Sequence, residues 1–271
     1  MSDAPVGVVL AAGLGTRLRP LTDIRPKALC PVDNEPLVDV ALGRLRPVAS
    51  AIAVNAHAHR EQMEAHLADR AVHVSVEEDQ PLGTAGALGL LRPWIDGRAV
   101  VVTNADAWHR FDLRPLVEGW DGERPRLLVV HDSEQGDFGP WHYVGATVLP
   151  WSIVARLEPV PSGLFGVVWA PAEADGRLDL VEAQGPFFDC GTPSDYLAAN
   201  LCASGGESVV GKGATVDGEL VRSVVWPGGV VQTGERLVEC VRVGSDVTVE
   251  APLALSRSRP WRPPHAAGPR E

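Results

Sequence analysis

Short apolar runs alternate with amphipathic stretches through the first two hundred residues of the chain. This pattern predicts strands at 6–11, 51–55, 72–76 and 99–103, and helices at 37–45, 60–67 and 85–91. Because the predicted strands are apolar on both faces and helices separate them, we expect an α/β fold with a mostly parallel, Rossmann-like sheet. Ligands of such sheets bind at the carboxyl ends of the strands.

The pattern becomes less regular from residue 126 onward. Apolar runs at 127–130 and 143–149 predict further strands, and a helical zone interrupted by prolines follows at 151–171. A strand is predicted at 178–182, and then a helix from Pro193 to about Cys202, with Pro in its first turn and Gly205 beyond its end.

The sequence changes in texture after residue 204. Apolar residues recur about every six positions among small and turn-forming residues: Val210, Val216, Val225, Val231 and Leu237. This spacing predicts a short left-handed hexapeptide β-helix over residues 205–253, with an ordinary pair of antiparallel hairpins as the alternative. So short a coil should pack on the main domain, predicted at 1–204, or on another copy of the chain, which leaves a homo-oligomer open. Residues 254–271, rich in Pro and Arg, are predicted to form a disordered tail.

Composition excludes several classes of function. The chain has 271 residues, of which 45% are hydrophobic, and a formal net charge of -11. So acidic a chain is not expected to bind nucleic acid. No apolar stretch is long enough to span a membrane and the N-terminus has no basic cluster, so a soluble cytoplasmic protein without a membrane partner is expected. The four cysteines show no metal-binding spacing, which favours reduced, mostly buried thiols.

One loop reverses this acidic character. After the first predicted strand, Arg17, Arg19, Arg25 and Lys27 fall within eleven residues that contain a single acid. Two glycines of the preceding turn, at positions 13 and 15, would let backbone N–H groups approach a ligand closely. The loop is therefore predicted to bind phosphate, although its sequence fits neither the dinucleotide fingerprint nor the P-loop. A surface turn coated with arginines is the alternative.

Three further segments carry candidate chemistry. Asn104-Ala-Asp follows the strand at 99–103, and Asp189-Cys-Gly-Thr-Pro precedes the last helix. Between the third strand and the third helix lies Glu77-Glu-Asp-Gln-Pro-Leu-Gly-Thr. From the residues alone, a structural role of Asp106, in a turn or as a helix cap, is as well supported as a functional one, and residues 77–79 could form a solvated acidic turn.

Together these segments resemble the motifs of the sugar-1-phosphate nucleotidyltransferases over residues 6–200. Every fixed position of Gly-x-Gly-Thr-Arg-Leu-x-Pro-Leu-Thr, followed by Pro-Lys, is matched between Gly13 and Lys27. The resemblance implies that a sugar-1-phosphate attacks the α-phosphorus of an NTP and releases pyrophosphate. It also implies that Arg17 grips the β- and γ-phosphates, that Lys27 neutralises the α-phosphate, and that Asp106 and Asp189 bind Mg²⁺.

The resemblance further implies the binding residues. The expected nucleotide contacts are Leu10, Ala11, Ala12, Gly13, Gly15, Thr16, Arg17, Lys27, Glu78, Gly83 and Thr84, and the expected substrate contacts are Asn104 and Gly145. A second lysine that members often use for the sugar phosphate is missing, since Lys27 is the only lysine before Lys212. An arginine or the metal would have to replace it.

The base preference depends on one position. Members that use uracil or thymine commonly carry Gln five positions before Gly83, whereas guanylyltransferases commonly carry Glu, and this chain has Glu78 there. A carboxylate could accept both N1–H and N2–H of guanine. This favours GTP and a mannose-1-phosphate guanylyltransferase that makes GDP-mannose. The alternatives are a uridylyl- or thymidylyltransferase for another hexose-1-phosphate, and a non-catalytic regulatory subunit that binds nucleotide-sugar.

Overall fold

The computed structural model describes residues 4–132 and 136–255. Its α-helices are α1 (Leu21–Ile24), α2 (Leu37–Leu45), α3 (Arg60–Leu67), α4 (Gly83–Ile95), α5 (Arg114–Val117), α6 (Trp151–Val154), α7 (Ala170–Ala174) and α8 (Pro193–Ala203). A π-helical turn at Phe165–Trp169 leads into α7, and 3-10 turns lie at Thr16–Leu18, Lys27–Leu29 and Leu253–Leu255. The helices predicted at 37–45 and 60–67 are confirmed, and the third is longer than predicted.

The chain divides into two compact units. Among the described residues, the first unit comprises those at 4–14 and 38–185, and the second comprises those at 15–37 and 186–255. The basic loop thus belongs to the same unit as the C-terminal segment, although most of the chain separates them in sequence. The predicted division at residue 204 stays a prediction.

A seven-stranded sheet forms the centre of the first unit. Its strands are β1 (Val6–Leu10), β2 (Ile52–Ala56), β3 (His73–Val76), β4 (Val100–Asn104), β5 (Arg126–His131), β6 (Trp141–Leu149) and β7 (Asp179–Glu182). They lie in the order β3-β2-β1-β4-β6-β5-β7. Four pairings are parallel, while β6 runs antiparallel to both β4 and β5. The sheet is therefore mixed, because the short connection from β5 to β6 can join only antiparallel neighbours.

Strand β1 is central and buried on both faces, as its composition predicts. Val8 pairs with Ala53 of β2 on one side and with Val102 of β4 on the other, and all three side chains are fully buried. The chain leaves β1 toward β2 and reaches β4 only later, so the strand order reverses at β1. Such a reversal opens a crevice at the carboxyl ends of the strands, where ligands of open α/β sheets bind.

Helix α4 packs closely against a loop of the same unit through its glycines. A Cβ built at Gly86 would overlap the carbonyl oxygen of Val160, and one at Gly89 would overlap the backbone of Glu158. A side chain at either position would push the loop away from the helix. In contrast, a Cβ at Gly43 of α2 would meet no atom within 4 Å.

Replacing each of these two glycines by alanine should change the free energy of unfolding in opposite directions. Gly86→Ala should lower the free energy of unfolding by about 1–3 kcal/mol, the usual cost of forcing atoms into a packed interface. Gly43→Ala should raise it by up to about 1 kcal/mol, because alanine is the better helix former and has room there. Urea unfolding of both variants measures the two changes. A stabilised Gly86→Ala variant would contradict the packing described here.

The second unit combines α8 with short strands. A hairpin pairs Pro31–Val32 with Glu35–Pro36. The C-terminal strands are β8 (Val209–Val210), β9 (Thr215–Val216), β10 (Glu219–Val221), β11 (Val224–Val225), β12 (Val230–Val231), β13 (Arg236–Val238), β14 (Cys240–Val243) and β15 (Val247–Glu250). Strand β11 pairs in parallel with β8 and β14, β9 pairs with β12, and β10 pairs with β13. The antiparallel alternative holds only for β14 with β15.

The six-residue recurrence after residue 204 is largely confirmed as a core pattern. Val225, Val231 and Leu237 form a buried cluster, with Val216 partly buried against it. Val210, the first residue of this recurrence, is not part of the cluster, and its side chain is 45% exposed. The tail was predicted at 254–271; residues 254 and 255 belong to the 3-10 turn Leu253–Leu255, and residues from 256 onward lie outside the described ranges. Across the described ranges no helix is long and apolar enough to cross a membrane.

The cysteines behave as the sequence predicts. None of the four, which all lie in the described ranges, forms a disulfide; Cys30, Cys190 and Cys240 are buried and Cys202 is partly buried. Burial raises the pKa of the Cys30 thiol to about 12, although the charges of Arg25 and Lys27 act in the opposite direction. This thiol is therefore a neutral packing group rather than a nucleophile.

Candidate active site

The first unit has a pocket at the carboxyl ends of β1, β2 and β4, where the strand order reverses. We call it the switch-point pocket. Its volume is about 180 Å³. It is lined by Leu10, Ala12, Gly13, Asn55, Glu77, Pro81, Gly83, Thr84, Asn104 and Asp106. Seven of these ten are residues expected to contact nucleotide, substrate or metal: Leu10, Ala12, Gly13, Gly83, Thr84, Asn104 and Asp106.

A buried Asn–Glu pair, missed by the sequence analysis, joins the walls of this pocket. The side chain of Asn55 accepts the backbone N–H of Ala11 at 2.6 Å and donates to Glu77 Oε1, also at 2.6 Å. The other oxygen of Glu77 accepts the backbone N–H of Leu82 at 2.6 Å. Both carboxylate oxygens of Glu77 are thus engaged by the protein. The pair ties the turn after β1 to the loop before α4.

The structure places Glu78 differently from its neighbour. The Glu78 side chain is 69% exposed and forms an ion pair with Arg60 of α3. It does not belong to the lining of the switch-point pocket. Glu77, which is 2% exposed, lines the pocket instead. The alternation of side chains at the end of β3 explains the difference, because neighbouring residues of an extended segment point to opposite sides.

The loop before α4 is fixed by contacts with residues 162–164. Gly83 has a φ of +70°, and a Cβ there would lie 2.5 Å from the carbonyl oxygen of Ser162. The hydroxyl of Thr84 accepts the backbone N–H of Leu164 at 2.7 Å. Only glycine suits the first position. The Gly-Thr pair of the motif therefore has a structural role in addition to its expected contact with the nucleotide.

The two expected substrate contacts lie together. Gly145 of β6 has a φ of +80°, and a Cβ at this residue would lie 2.7 Å from the Cβ of Ala107 and 3.3 Å from that of Asn104. A glycine here lets β6 approach the turn that follows β4. Asp106, in that turn, lines the switch-point pocket.

In the second unit, a carboxylate draws the two expected phosphate-binding cations together. Arg17 Nη2 lies 3.6 Å from Asp189 Oδ2, and Lys27 Nζ lies 3.6 Å from Asp189 Oδ1. Lys27 is nearly buried, whereas about half of the Asp189 side chain is exposed. A partly exposed pair at this separation is weak. An incoming polyanion could therefore take over both cations.

Local backbone geometry explains the fixed positions around this cluster. Gly15 has a φ of +61°, and its carbonyl accepts the hydroxyl of Thr22 at 2.9 Å. The 3-10 turn Thr16–Leu18 follows and carries Arg17. At the other segment, a Cβ on Gly191 would lie 2.7 Å from Arg17 Nη2. The left-handed backbone at Gly15 thus favours glycine, whereas a side chain at Gly191 would displace the guanidinium of Arg17.

Helix α8 begins directly after this cluster and fixes it. The Thr192 hydroxyl accepts the backbone N–H of Asp195 at 3.2 Å, which caps the helix, and Pro193 occupies its first turn. Farther along α8, the Tyr196 hydroxyl donates to the carbonyl of Pro31 and accepts the indole N–H of Trp226. The Arg25 guanidinium lies 4.3 Å from the centre of the Trp226 ring. Helix α8 therefore holds the segment just after the basic loop, and Arg25 of the loop packs on Trp226, the residue after β11.

The candidate metal ligands are the carboxylates of Asp106 and Asp189. Among the residues that the structure describes, no group of three or more His, Cys, Asp or Glu side chains is placed to hold a metal. Mg²⁺ is commonly bound by one or two carboxylates together with substrate phosphates and water. Carboxylate oxygens are ligands of the kind that Mg²⁺ prefers, and the side chains of Asp106 and Asp189 are each at least partly accessible.

A pocket at the point where the strand order reverses, bordered by a glycine turn, is the usual place for a ligand in an open α/β sheet. Comparison with known proteins shows the family to which the chain belongs. A family model described as nucleotidyl transferase matches residues 6–139. N-acetylmuramate alpha-1-phosphate uridylyltransferase of Caulobacter vibrioides is 32% identical over 238 residues, covering 73% of this chain and 97% of that protein. The chain belongs to the sugar-1-phosphate nucleotidyltransferase family.

Two further similarities are informative. Mannose-1-phosphate guanylyltransferase catalytic subunit beta of Dictyostelium discoideum is 28% identical, covering 70% of this chain and 62% of that protein. The solved structure of a protein described as mannose-1-phosphate geranyltransferase, from Thermus thermophilus, superposes with a TM-score of 0.69. It is 18% identical and covers 93% of this chain and 96% of that one. This similarity concerns the fold, and it confirms the α/β nucleotidyltransferase architecture.

Proposed function

We propose that this nucleotidyltransferase uses UTP and forms a UDP-sugar and pyrophosphate from a sugar-1-phosphate. The observation that carries the choice of base is the ion pair between Glu78 and Arg60, outside the lining of the switch-point pocket. The preference for GTP rested on Glu78 as the acceptor for guanine. With that side chain turned away, the main argument for guanine is lost.

The remaining lining residues favour a pyrimidine. Guanine presents two adjacent donors, N1–H and N2–H, which are best satisfied by a free carboxylate. Each oxygen of Glu77 already accepts a protein N–H at 2.6 Å, so guanine would have to share them. Uracil presents one donor between two carbonyl acceptors, which backbone groups of a turn can match. The similarity to a uridylyltransferase over 97% of its length supports the same choice.

The charged residues have distinct proposed roles. A phosphate oxygen of the sugar-1-phosphate attacks the α-phosphorus in line, and the bond to the bridging oxygen of pyrophosphate breaks. Arg17 would bind the departing β- and γ-phosphates and Lys27 the α-phosphate, each leaving Asp189 to do so. Asp106 and Asp189 would hold Mg²⁺, which neutralises phosphate charge when bound. No general base is needed, since the attacking phosphate is already an anion.

GTP and mannose-1-phosphate form the second candidate pair. The relative from Dictyostelium discoideum is named for that activity. A non-catalytic regulatory subunit is disfavoured because Arg17, Lys27, Asp106 and Asp189 are all present. For the sugar, the names of the relatives point to N-acetylmuramate α-1-phosphate and mannose-1-phosphate as the first compounds to test.

The choice of base can be tested at Glu78. We expect Glu78→Gln to leave the ratio of kcat/KM for UTP over GTP within about twofold of wild type, because the side chain lies outside the pocket. Asp79→Asn, at the adjacent exposed acid, is the matched control. If Glu78 binds guanine, the same substitution should weaken GTP by about 1.5–3 kcal/mol, the scale of a charged hydrogen bond. That result would overturn the assignment to UTP.

We also propose that residues 205–253 form a short left-handed hexapeptide β-helix. Parallel pairing supports this coil: β11 pairs with β8 and β14, β9 pairs with β12, and β10 pairs with β13. The buried valines and leucine at six-residue spacing support it as well. Its association with a second copy of the chain stays a prediction.

A further inference from the structure

Helix α2 carries a buried cation that the sequence analysis did not single out. Arg44 is 8% exposed and lies on the side of α2 that also buries Ala41 and Leu45. A charged side chain is rarely buried so completely, because leaving water costs several kcal/mol unless its hydrogen bonds are replaced. The contacts of its guanidinium therefore show what the residue is for.

The guanidinium reaches four acceptors on one short segment of the first unit. Nη1 donates to the carbonyl of Ala107 at 2.7 Å and lies 3.5 Å from that of His109. Nη2 donates to the carbonyl of Asn104 and to the hydroxyl of Thr103, each at 3.0 Å. These acceptors lie on both sides of Asp106. A planar guanidinium can bind several such acceptors at once, which a lysine ammonium on a flexible stem cannot do with the same geometry.

The charge of Arg44 also acts on the surroundings of this turn. Burial lowers the pKa of His109 well below its usual value, and Arg44 lowers it further. Burial raises the pKa of Tyr143, with Arg44 opposing that change and Asp106 adding to it. Both groups are therefore uncharged at neutral pH. The charge of Arg44 therefore acts on buried groups of this segment as well as on its carbonyls.

We propose that Arg44 is a positioning residue that holds the turn of residues 103–109 so that Asp106 faces the switch-point pocket. The inference rests on the proposed role of Asp106 as a carboxylate for the Mg²⁺ of the nucleotide. Arg44 itself is not among the residues that line the pocket. It acts through the carbonyls on either side of Asp106, in the way that outer partners orient a metal ligand.

Two variants and one control test this role. Arg44→Met removes the charge and all donors with little change of volume, and Arg44→Lys keeps the charge but not the planar set of donors. Arg46→Met is the matched control, since Arg46 is exposed and lies two residues farther along. We would measure hydrogen–deuterium exchange of the 103–109 backbone, the affinity for Mn²⁺ with UTP present, and the Mg²⁺ dependence of turnover.

We expect both Arg44 variants to exchange faster at 103–109 and to bind the metal about 10- to 100-fold more weakly, the usual effect of losing an outer partner of a ligand. The Arg46 variant should match wild type. Unchanged metal affinity in Arg44→Met would overturn the proposal, even if its melting temperature fell. Failure of both Arg44 variants to fold would also overturn it, because Arg44 would then serve the fold alone.

These measurements distinguish a failure of the positioning role of Arg44 from a failure of the proposed metal role of Asp106. If wild type neither binds Mn²⁺ with UTP nor needs Mg²⁺, the proposed role of Asp106 fails, and the positioning role fails with it. Faster exchange at 103–109 in the Arg44 variants would then still show that Arg44 holds the turn. If wild type needs the metal and the Arg44 variants bind it normally, only the positioning role fails.

Discussion

Asp106→Asn is expected to lower kcat by about a thousandfold while leaving the fold intact. The substitution is nearly isosteric and the residue lies in a turn that lines the switch-point pocket. An amide does not neutralise Mg²⁺ as a carboxylate does, and the charge stabilisation by a metal is worth several kcal/mol. A thousandfold fall in kcat corresponds to about 4 kcal/mol of activation free energy. Steady-state release of pyrophosphate at saturating substrate measures it, with circular dichroism as the test of folding.

The control for this variant is Asp112→Asn. Asp112 is an exposed acid that forms an ion pair with Arg114, and it should give wild-type kcat. Asp189→Asn should also lose activity strongly, because it removes the second carboxylate of the proposed metal site. Full activity of Asp106→Asn would remove Asp106 from the proposed metal site.

Arg17→Met and Lys27→Met should have effects of similar size. An arginine that stabilises the charge of a transferring phosphoryl group is worth about 10³–10⁵ in kcat, and we expect at least the lower value for each. Arg17 faces Asp189 from a largely exposed position, so its loss should spare the fold. Lys27 is nearly buried, and its loss leaves Asp189 paired with Arg17.

The matched control comes from the same loop. Arg19 is equally basic but forms a surface ion pair with Asp23 at 3.1 Å. Arg19→Met should therefore change kcat by less than about threefold, since exposed ion pairs contribute at most about 1 kcal/mol. If Arg19→Met and Arg17→Met lowered kcat equally, the general positive charge of the loop, rather than the position of Arg17, would be responsible.

Much of the fold follows from local pattern. The periodicity of α2 and α3 fixed their bounds, because apolar and polar positions alternate at the helical repeat. The insertion of β6 between β4 and β5 was not predicted, since strand order depends on packing of segments far apart in sequence. For the same reason, the pattern did not show that the basic loop shares a compact unit with α8 and the C-terminal strands.

Residues of the candidate site that belong to a sequence motif could be predicted. Residues whose place depends on packing between distant segments could not. Gly13, Gly83 and Asp106 all line the switch-point pocket, as the motifs imply. The motif count pointed to Glu78, but the direction of one side chain at the end of β3 places Glu77 in the pocket instead. Arg44 gave no signal in the sequence beyond its place on the apolar side of α2.

A competition assay with the wild-type protein tests the proposed reaction and the choice of UTP most directly. UTP, GTP, dTTP and ATP are supplied together at equal concentration with Mg²⁺ and one sugar-1-phosphate at a time, starting with N-acetylmuramate α-1-phosphate and mannose-1-phosphate. Mass spectrometry identifies the nucleotide-sugar, and released pyrophosphate is counted. We expect a UDP-sugar as the main product, with one pyrophosphate released for each molecule formed. A GDP-sugar as the main product would contradict the choice of UTP.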